Sequence, residues 1–187
     1  MYTASIRQVF SGVKGISPCK LHTLIQGDRK MKSKWKTYAF WIGLSEIVGA
    51  ASGFLSMDCI RSFEKTVAQP PLSPPGFLFP IVWTVLYALM GIGAAMVSMT
   101  NDSRERSLGL NIFVVQLSMN FLWTPVFFCI QAFGFAFFWL LGLLGAVVLM
   151  TLTFRKTSSL AALLQIPYIL WLCFAAYLNF GVWMLSK

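Results

Sequence analysis

Apolar residues run through this chain in long blocks and do not alternate with polar ones. Five stretches, at about 38–57, 77–99, 108–128, 133–154 and 160–185, are apolar on every side of a helical wheel. Each has the ~17–25 residues a helix needs to cross ~30 Å of hydrocarbon. A barrel strand would be about half as long and would alternate apolar with polar positions. The pattern predicts an all-α membrane protein, a five-helix transmembrane bundle occupying 37–187.

The connections are short except the first, 58–76. It carries Asp58, Arg61, Glu64 and Lys65, then Gln-Pro-Pro-Leu-Ser-Pro-Pro-Gly at 69–76. Proline cannot continue a helix interior, and it pushes the residue before it to extended conformations. This loop is expected to be stiff and non-helical, and to act as a lid. The segment 1–36 is basic and polar, with Asp28 its one acid and no apolar core of a secretory signal. Disorder is expected there. An organelle leader would have such a composition, but Met31 opens Met-Lys-Ser-Lys-Trp-Lys, and a start there is the preferred reading.

Composition agrees with the pattern. The chain is 57% hydrophobic and 11% charged, where soluble domains run about 45–50% and about 25%. Its mean hydropathy is +0.71. The net charge of +9 changes the picture less than its size implies, because eight of the fifteen Lys/Arg residues precede the first span. With the N-terminus cytoplasmic, twelve Lys/Arg fall inside and three outside, the usual positive-inside bias. Without 1–30 the ratio is seven to three. No nucleic-acid partner is implied; the partner of most of this surface is the lipid bilayer. Five spans cannot form two equal inverted halves, which argues against a conventional secondary transporter.

Several chemistries are excluded. The single histidine, His22, lies before the spans, so a His-ligated haem or metal inside the membrane is ruled out. Cys19, Cys59, Cys129 and Cys173 form no CxxC pair, and no lysine lies within a span. No metal and no required cofactor are expected. Glu46 is the one acid within a span; it reads either as a proton or cation site or as a protonated carboxyl near the interface. The amides Gln116, Asn120, Gln165 and Asn179 are expected to bond between helices. Gly49-x-x-x-Gly53, with Ser45 and Ser52, gives the first span a small-residue face for intrachain packing or for a dimer.

The seven tryptophans divide by depth. Trp35, Trp41 and Trp183 fall at helix ends, as in an interfacial belt, and Trp139 reads as lipid-facing or belt. Trp83, Trp123 and Trp171 lie within spans. Phe79, Trp83 and Tyr87 recur at helical spacing, as do Gln116, Asn120, Trp123 and Phe127, and Tyr168, Trp171, Ala175 and Leu178. Turned inward, three such faces would line an aromatic pocket with a few amide hydrogen-bonding groups, suited to a planar hydrophobic ligand. From spacing alone, plain core packing explains them equally well.

Three blocks carry a resemblance. They are Pro-Pro-Gly-Phe-Leu-Phe-Pro-Ile-Val-Trp-Thr-Val-Leu-Tyr-Ala-Leu-Met-Gly (74–91), Met-Asn-Phe-Leu-Trp-Thr-Pro-Val-Phe-Phe (119–128) and Ser-Leu-Ala-Ala-Leu-Leu-Gln-Ile-Pro-Tyr-Ile-Leu-Trp-Leu-Cys-Phe-Ala-Ala-Tyr-Leu-Asn (159–179). In order and spacing they resemble the translocator protein family, also called tryptophan-rich sensory proteins or peripheral-type benzodiazepine receptors. The Pro-Leu-Ser-Pro-Pro-Gly loop is most similar to bacterial members.

The resemblance implies a five-helix fold, commonly a homodimer, in a bacterial cell membrane or alternatively a mitochondrial outer membrane. It implies a receptor or sensor for tetrapyrroles such as protoporphyrin IX and for other planar hydrophobic molecules, with the porphyrin as ligand. Trp83 and Trp171 match the tryptophans the family places at the ligand, a pair that some bacterial members are thought to use in light-dependent porphyrin oxidation. The resemblance thus leaves an enzyme, and a porphyrin or lipid transporter, as alternatives. Tyr87, Asn120, Trp123, Ala175 and Leu178 match pocket-lining positions, with Asn120 expected to orient a polar edge of the ligand, and Phe79 matches a residue under the loop. Phe77 and Phe135 stand where many or animal members have tryptophan. The cholesterol-recognition pattern is absent around Tyr177, with Lys187 too distant.

Overall fold

The structure, a computed structural model, describes the backbone from residue 18 to 187 and side chains from residue 34. The chain divides into two units, Met1–Lys36 and Thr37–Lys187; the second carries the site. Among the described residues the helices are α1 (Pro18–Leu55), α2 (Met57–Thr66), α3 (Leu78–Ser98), α4 (Arg104–Phe128), α5 (Phe133–Thr157), α6 (Ser159–Leu163) and α7 (Ile166–Leu185). Five spans are long and apolar enough to cross a membrane: Lys34–Leu55, α3, α4, α5, and α6 with α7 as Ser159–Leu185. The protein is an all-α membrane protein, as its hydrophobic blocks require.

Three boundaries depart from expectation. Helical backbone is described from Pro18, within the segment where disorder was expected; five lysines, two leucines, Gln26, Arg29 and Met31 among its residues favour helix. The part of that expectation covering 1–17 lies outside the described residues. The long loop is not wholly irregular either: Met57–Thr66 forms α2. Its first proline is Pro70, so nothing interrupts the helix earlier, and Asp58 in its first turn and Lys65 in its last complement the helix dipole. The fifth span is broken at Leu164–Gln165. Pro167 has no N–H for the carbonyl four residues back and clashes with it.

Prolines free carbonyls, and in hydrocarbon a freed carbonyl needs a partner from the protein. Pro125 lies inside α4 and cannot donate to the carbonyl of Phe121. The Ser52 hydroxyl of α1 donates to that carbonyl at 2.8 Å. At the break before α7, Gln165 Nε2 donates to the Ala161 carbonyl at 3.2 Å. Part of the small-residue face thus works inside the chain, where a hydroxyl of α1 completes α4. Gly49 adds to it, since a Cβ there would run into the Tyr87 ring; Gly53 has nothing within 4 Å.

Two apolar clusters fill the bundle. The larger joins Tyr87, Met90, Phe113, Leu140, Tyr168 and Leu172, among others. The smaller, at the loop end, joins Phe63, Phe127, Phe133, Ala136 and Val182. Phe63 of α2 is 5% exposed, with ring centroids 5.3 Å from Phe127 and 5.1 Å from Phe128. A disulfide joins Cys59 of α2 to Cys129 at the end of α4, 70 residues apart in sequence. The scattered spacing of the cysteines gave no sign of this pairing.

Two tests follow from this construction. Ser52→Ala should lower stability in a detergent unfolding titration by about 1 kcal/mol, yet cost almost nothing in a Pro125→Ala background, where the Phe121 carbonyl regains its helical donor. Equal costs in both backgrounds would refute the pairing. Cys59→Ser, or reduction of the wild type, should lower stability by about 2–4 kcal/mol and slow migration on non-reducing electrophoresis; no change in either contradicts the bridge.

Candidate functional site

The predicted aromatic faces do turn inward, but not all toward one another. From α3, Phe79, Trp83 and Tyr87 descend one face below the proline loop. From α7, Tyr168 and Trp171 meet them. Trp83 has its ring centroid 5.4 Å from Tyr87, 6.2 Å from Tyr168 and 6.5 Å from Trp171, the last two edge-to-face. Phe79 meets Trp171 edge-on at 5.9 Å. These are favourable aromatic geometries. Ala175 is half-buried beside the large cluster, and Leu178 is half-buried one turn further on. Trp83 and Trp171 thus meet directly, edge to face.

Trp123 belongs elsewhere. Its ring stacks on Phe127 at 4.9 Å, and its Nε1 donates to the Ala136 carbonyl at 3.1 Å. It lies on the seam between the two clusters and ties α4 to α5. Asn120 does not have a free amide. It is 2% exposed, its Oδ1 accepts from the Tyr87 hydroxyl at 3.3 Å, and its Nδ2 donates to the Tyr168 hydroxyl at 2.7 Å. The Tyr168 hydroxyl donates on to Gln116 Oε1 at 3.1 Å. Gln116 Nε2 in turn lies 3.8 Å from Met90 Sδ. Asn120 therefore binds helices together under the aromatic layer instead of presenting a polar group to it. Its two neighbouring hydroxyls sit one helical repeat from Trp83 and Trp171, a coincidence that the facewise spacing could have signalled.

The remaining amides and indoles divide similarly. Gln116 and Asn120 bond between helices, Gln165 bonds within its own turn, and neither polar atom of Asn179 has a partner. Trp139 is not a lipid-facing ring alone: its Nε1 donates to the Met119 carbonyl at 3.0 Å. Trp41 packs against Phe113 at 5.5 Å. Two surface recesses, of about 360 and 510 Å³, lie by Arg155 at the other end of α5 and share no residue with the aromatic layer. Among the described residues no group of His, Cys, Asp and Glu could hold a metal.

Over the aromatic layer the loop is pinned to α7. The Tyr177 hydroxyl donates to the Pro71 carbonyl at 3.0 Å. Pro70 packs so closely on Gly181 that a Cβ there would come within 2.6 Å of it. Ser73 Oγ donates to the Pro70 carbonyl at 2.8 Å, closing a turn in which Leu72 has φ 67°. Gly76 abuts the Glu64 carboxylate of α2.

This arrangement has known relatives. A family model described as TspO/MBR family matches residues 41–184. The Tryptophan-rich protein TspO of Chlorobaculum tepidum is 35% identical over 162 residues, 83% of this chain and 99% of that protein. The Translocator protein of Ovis aries is 33% identical over 143 residues, 73% of this chain and 85% of its own length. The Tryptophan-rich sensory protein of Cereibacter sphaeroides is 32% identical over 156 residues, 83% and 95% of the two chains.

Tyr168→Phe should strip Asn120 and Gln116 of a shared partner. The expected loss is about 1–2 kcal/mol of stability in a detergent unfolding titration, the upper end of values for bonds between membrane helices. Combined with Asn120→Leu the losses should be less than additive; strict additivity would show that the two side chains do not act together.

Proposed function

The chain belongs to the TspO/MBR family, and on that premise we propose that it is a membrane receptor for tetrapyrroles of the protoporphyrin IX kind and related planar hydrophobic molecules. The observation that carries this reading is the aromatic layer of Phe79, Trp83, Tyr87, Tyr168 and Trp171 beneath a loop fixed to α7 by two contacts. Aromatic rings held edge to face can reopen around a planar ring and stack on it, each such contact contributing about 0.5–1.5 kcal/mol beyond burial. The absence of a histidine within the spans favours the free-base ring over an axially ligated haem. Ala175 supplies room beside Trp171, and Leu178 closes the apolar wall.

We propose further that the N-terminus lies on the cytoplasmic side. Two independent features support this: the excess of Lys/Arg at that end, and the disulfide at the other, since such bonds persist in oxidising compartments. A homodimer belongs to the same proposal. Gly53 has no neighbour within 4 Å among the described residues and leaves α1 an open small-residue position.

The test uses the full chain in detergent. Protoporphyrin IX titrated in the dark should quench tryptophan fluorescence saturably. Trp171→Phe should reduce the quenching and weaken affinity by about three- to tenfold, the equivalent of about 1 kcal/mol of lost ring contact. Quenching no greater than that of free N-acetyltryptophanamide in the same detergent would refute the receptor. Illumination then separates receptor from enzyme: loss of the porphyrin absorption band that requires Trp171 would replace binding alone with light-driven oxidation.

A further inference from the structure

At the end of the bundle away from the proline loop, two recesses flank one ridge. The first, of about 360 Å³, follows the seam between α5 and the last span; Thr151, Leu152 and Arg155 line it from α5, and Ser159 and Ala162 from α6. The second, of about 510 Å³, is lined by Leu149, Leu152, Thr153, Arg155 and Lys156. The two share Leu152 and Arg155, which are neighbours on the helix surface at i and i+3. Leu152, 54% exposed, is the ridge, and Arg155 stands where the recesses meet. Their interior is apolar. The Thr151 and Thr153 hydroxyls donate back to the carbonyls of Val147 and Leu149 at 2.8 Å each, so neither offers the recess a free donor.

At the aqueous end the recesses turn cationic. Arg155 and Lys156 lie in the last turn of α5 and are both exposed. The ion pairs among the described residues are Arg61 with Asp58 and Arg106 with Asp102, so neither cation of α5 is neutralised by a carboxylate there. Ser159 adds an exposed hydroxyl to the mouth of the first recess. Cations at a helix end serve to orient a membrane protein, but orientation alone calls for no recess. Two apolar recesses divided by one ridge, with a guanidinium at their junction and an ammonium beside it, match a molecule with two apolar tails and one anionic head.

We propose that this face holds one anionic glycerophospholipid, its acyl chains astride Leu152, one in each recess, and its phosphate on Arg155 and Lys156. A guanidinium meets phosphate oxygens through two parallel hydrogen bonds, and Lys156 adds a point charge. From Val148 to Arg155 the first recess runs about 10 Å along α5, enough to seat the upper part of an acyl chain. Moving a chain from the bilayer into the recess exchanges one apolar contact for another and confers little preference. Headgroup charge therefore provides the selectivity, and the recesses fix where the lipid sits. On the orientation proposed above, this end faces the cytoplasm, whose leaflet carries the anionic lipids that basic pockets between helices retain. The site shares no residue with the aromatic layer, so it stands or falls apart from the receptor.

The test titrates the full-length chain in neutral detergent with dioleoyl phosphatidylglycerol or dioleoyl phosphatidylcholine, which share their chains, and counts bound lipid by native mass spectrometry. The wild type should retain one phosphatidylglycerol per chain and prefer it by about 30-fold, about fivefold for each cation. Arg155→Gln with Lys156→Gln should abolish the preference. Arg104→Gln, which removes an exposed cation outside both recesses, should keep it. Leu152→Trp fills the recesses with both cations in place and should weaken phosphatidylglycerol binding by about fivefold or more. All four positions are exposed, so the variants should elute from gel filtration as the wild type does. A wild type with no headgroup preference overturns the site. So does a preference lost as fully in Arg104→Gln, which marks diffuse surface charge, or one untouched by Leu152→Trp, which leaves the recesses idle. A wild type that binds neither lipid and forms dimers that Leu152→Trp dissociates gives the face to a second copy of the chain instead.

Discussion

Most polar groups that this bundle takes out of water find a partner inside the protein, the side chains of Asn179 and Ser56 being exceptions. Hydrocarbon offers none, and each unsatisfied group there costs several kcal/mol. The prolines make the demand acute, because each one inside a span frees a carbonyl. Pro125 is answered from another helix, by Ser52, and the break before Pro167 is answered locally, by Gln165. The bond from Ser52 fixes α1 against α4 at one height, and the close fit of Gly49 on Tyr87 sets α1 against α3. Helix order and register thus follow from satisfying a few backbone and side-chain groups, with apolar packing filling the space between them.

The same demand divides the interior into two levels. Tyr87, Asn120, Tyr168 and Gln116 link α3, α4 and α7 in one hydrogen-bonded chain at the centre. Such a chain is stiff, since moving any member leaves others unpaired. Above it the contacts between Trp83, Trp171 and Phe79 are ring against ring. Aromatic contacts tolerate changes of angle that hydrogen bonds do not. The disulfide and the Phe63 cluster hold α2 to the end of α4, while the proline loop meets α7 through one hydrogen bond and one close contact.

The spans were legible because hydrocarbon imposes length and apolarity on every helix that crosses it, and the sequence shows both directly. The inward faces bearing Trp83, Tyr87, Tyr168 and Trp171 were legible for a related reason: helical spacing determines which residues share a side. What those residues touch was not. Trp123 shares a face with Asn120, yet its indole reaches sideways to Ala136, and one face of a helix can meet two neighbours. Asn120 and Asn179 look alike in sequence, both being asparagines in apolar spans. Only the packing shows that two tyrosines bond the first and that the second has no hydrogen-bond partner. Helix α2 was hidden because its prolines come after it, and the composition of 58–76 was dominated by them. The pairing of Cys59 with Cys129 depends on where α2 folds back, which no spacing rule reports.

A stiff polar floor under a parting aromatic layer has a consequence for selectivity. On the receptor reading proposed above, a ligand that broke the Tyr87–Asn120–Tyr168 links would leave buried groups unpaired, which would confine binding to the layer above them. There the floor would set how deep a ring could go, and the distance from Trp171 to the loop, about 9–15 Å for the six to ten residues to Tyr177 and Gly181, would set how much of the ligand remained to be covered. A ring too small to span that depth would leave its polar edge short of the mouth, and a larger one would hold the loop away from α7. On that reading depth, fixed by hydrogen bonds that the ligand would not touch, would select for size before any side chain read its chemistry.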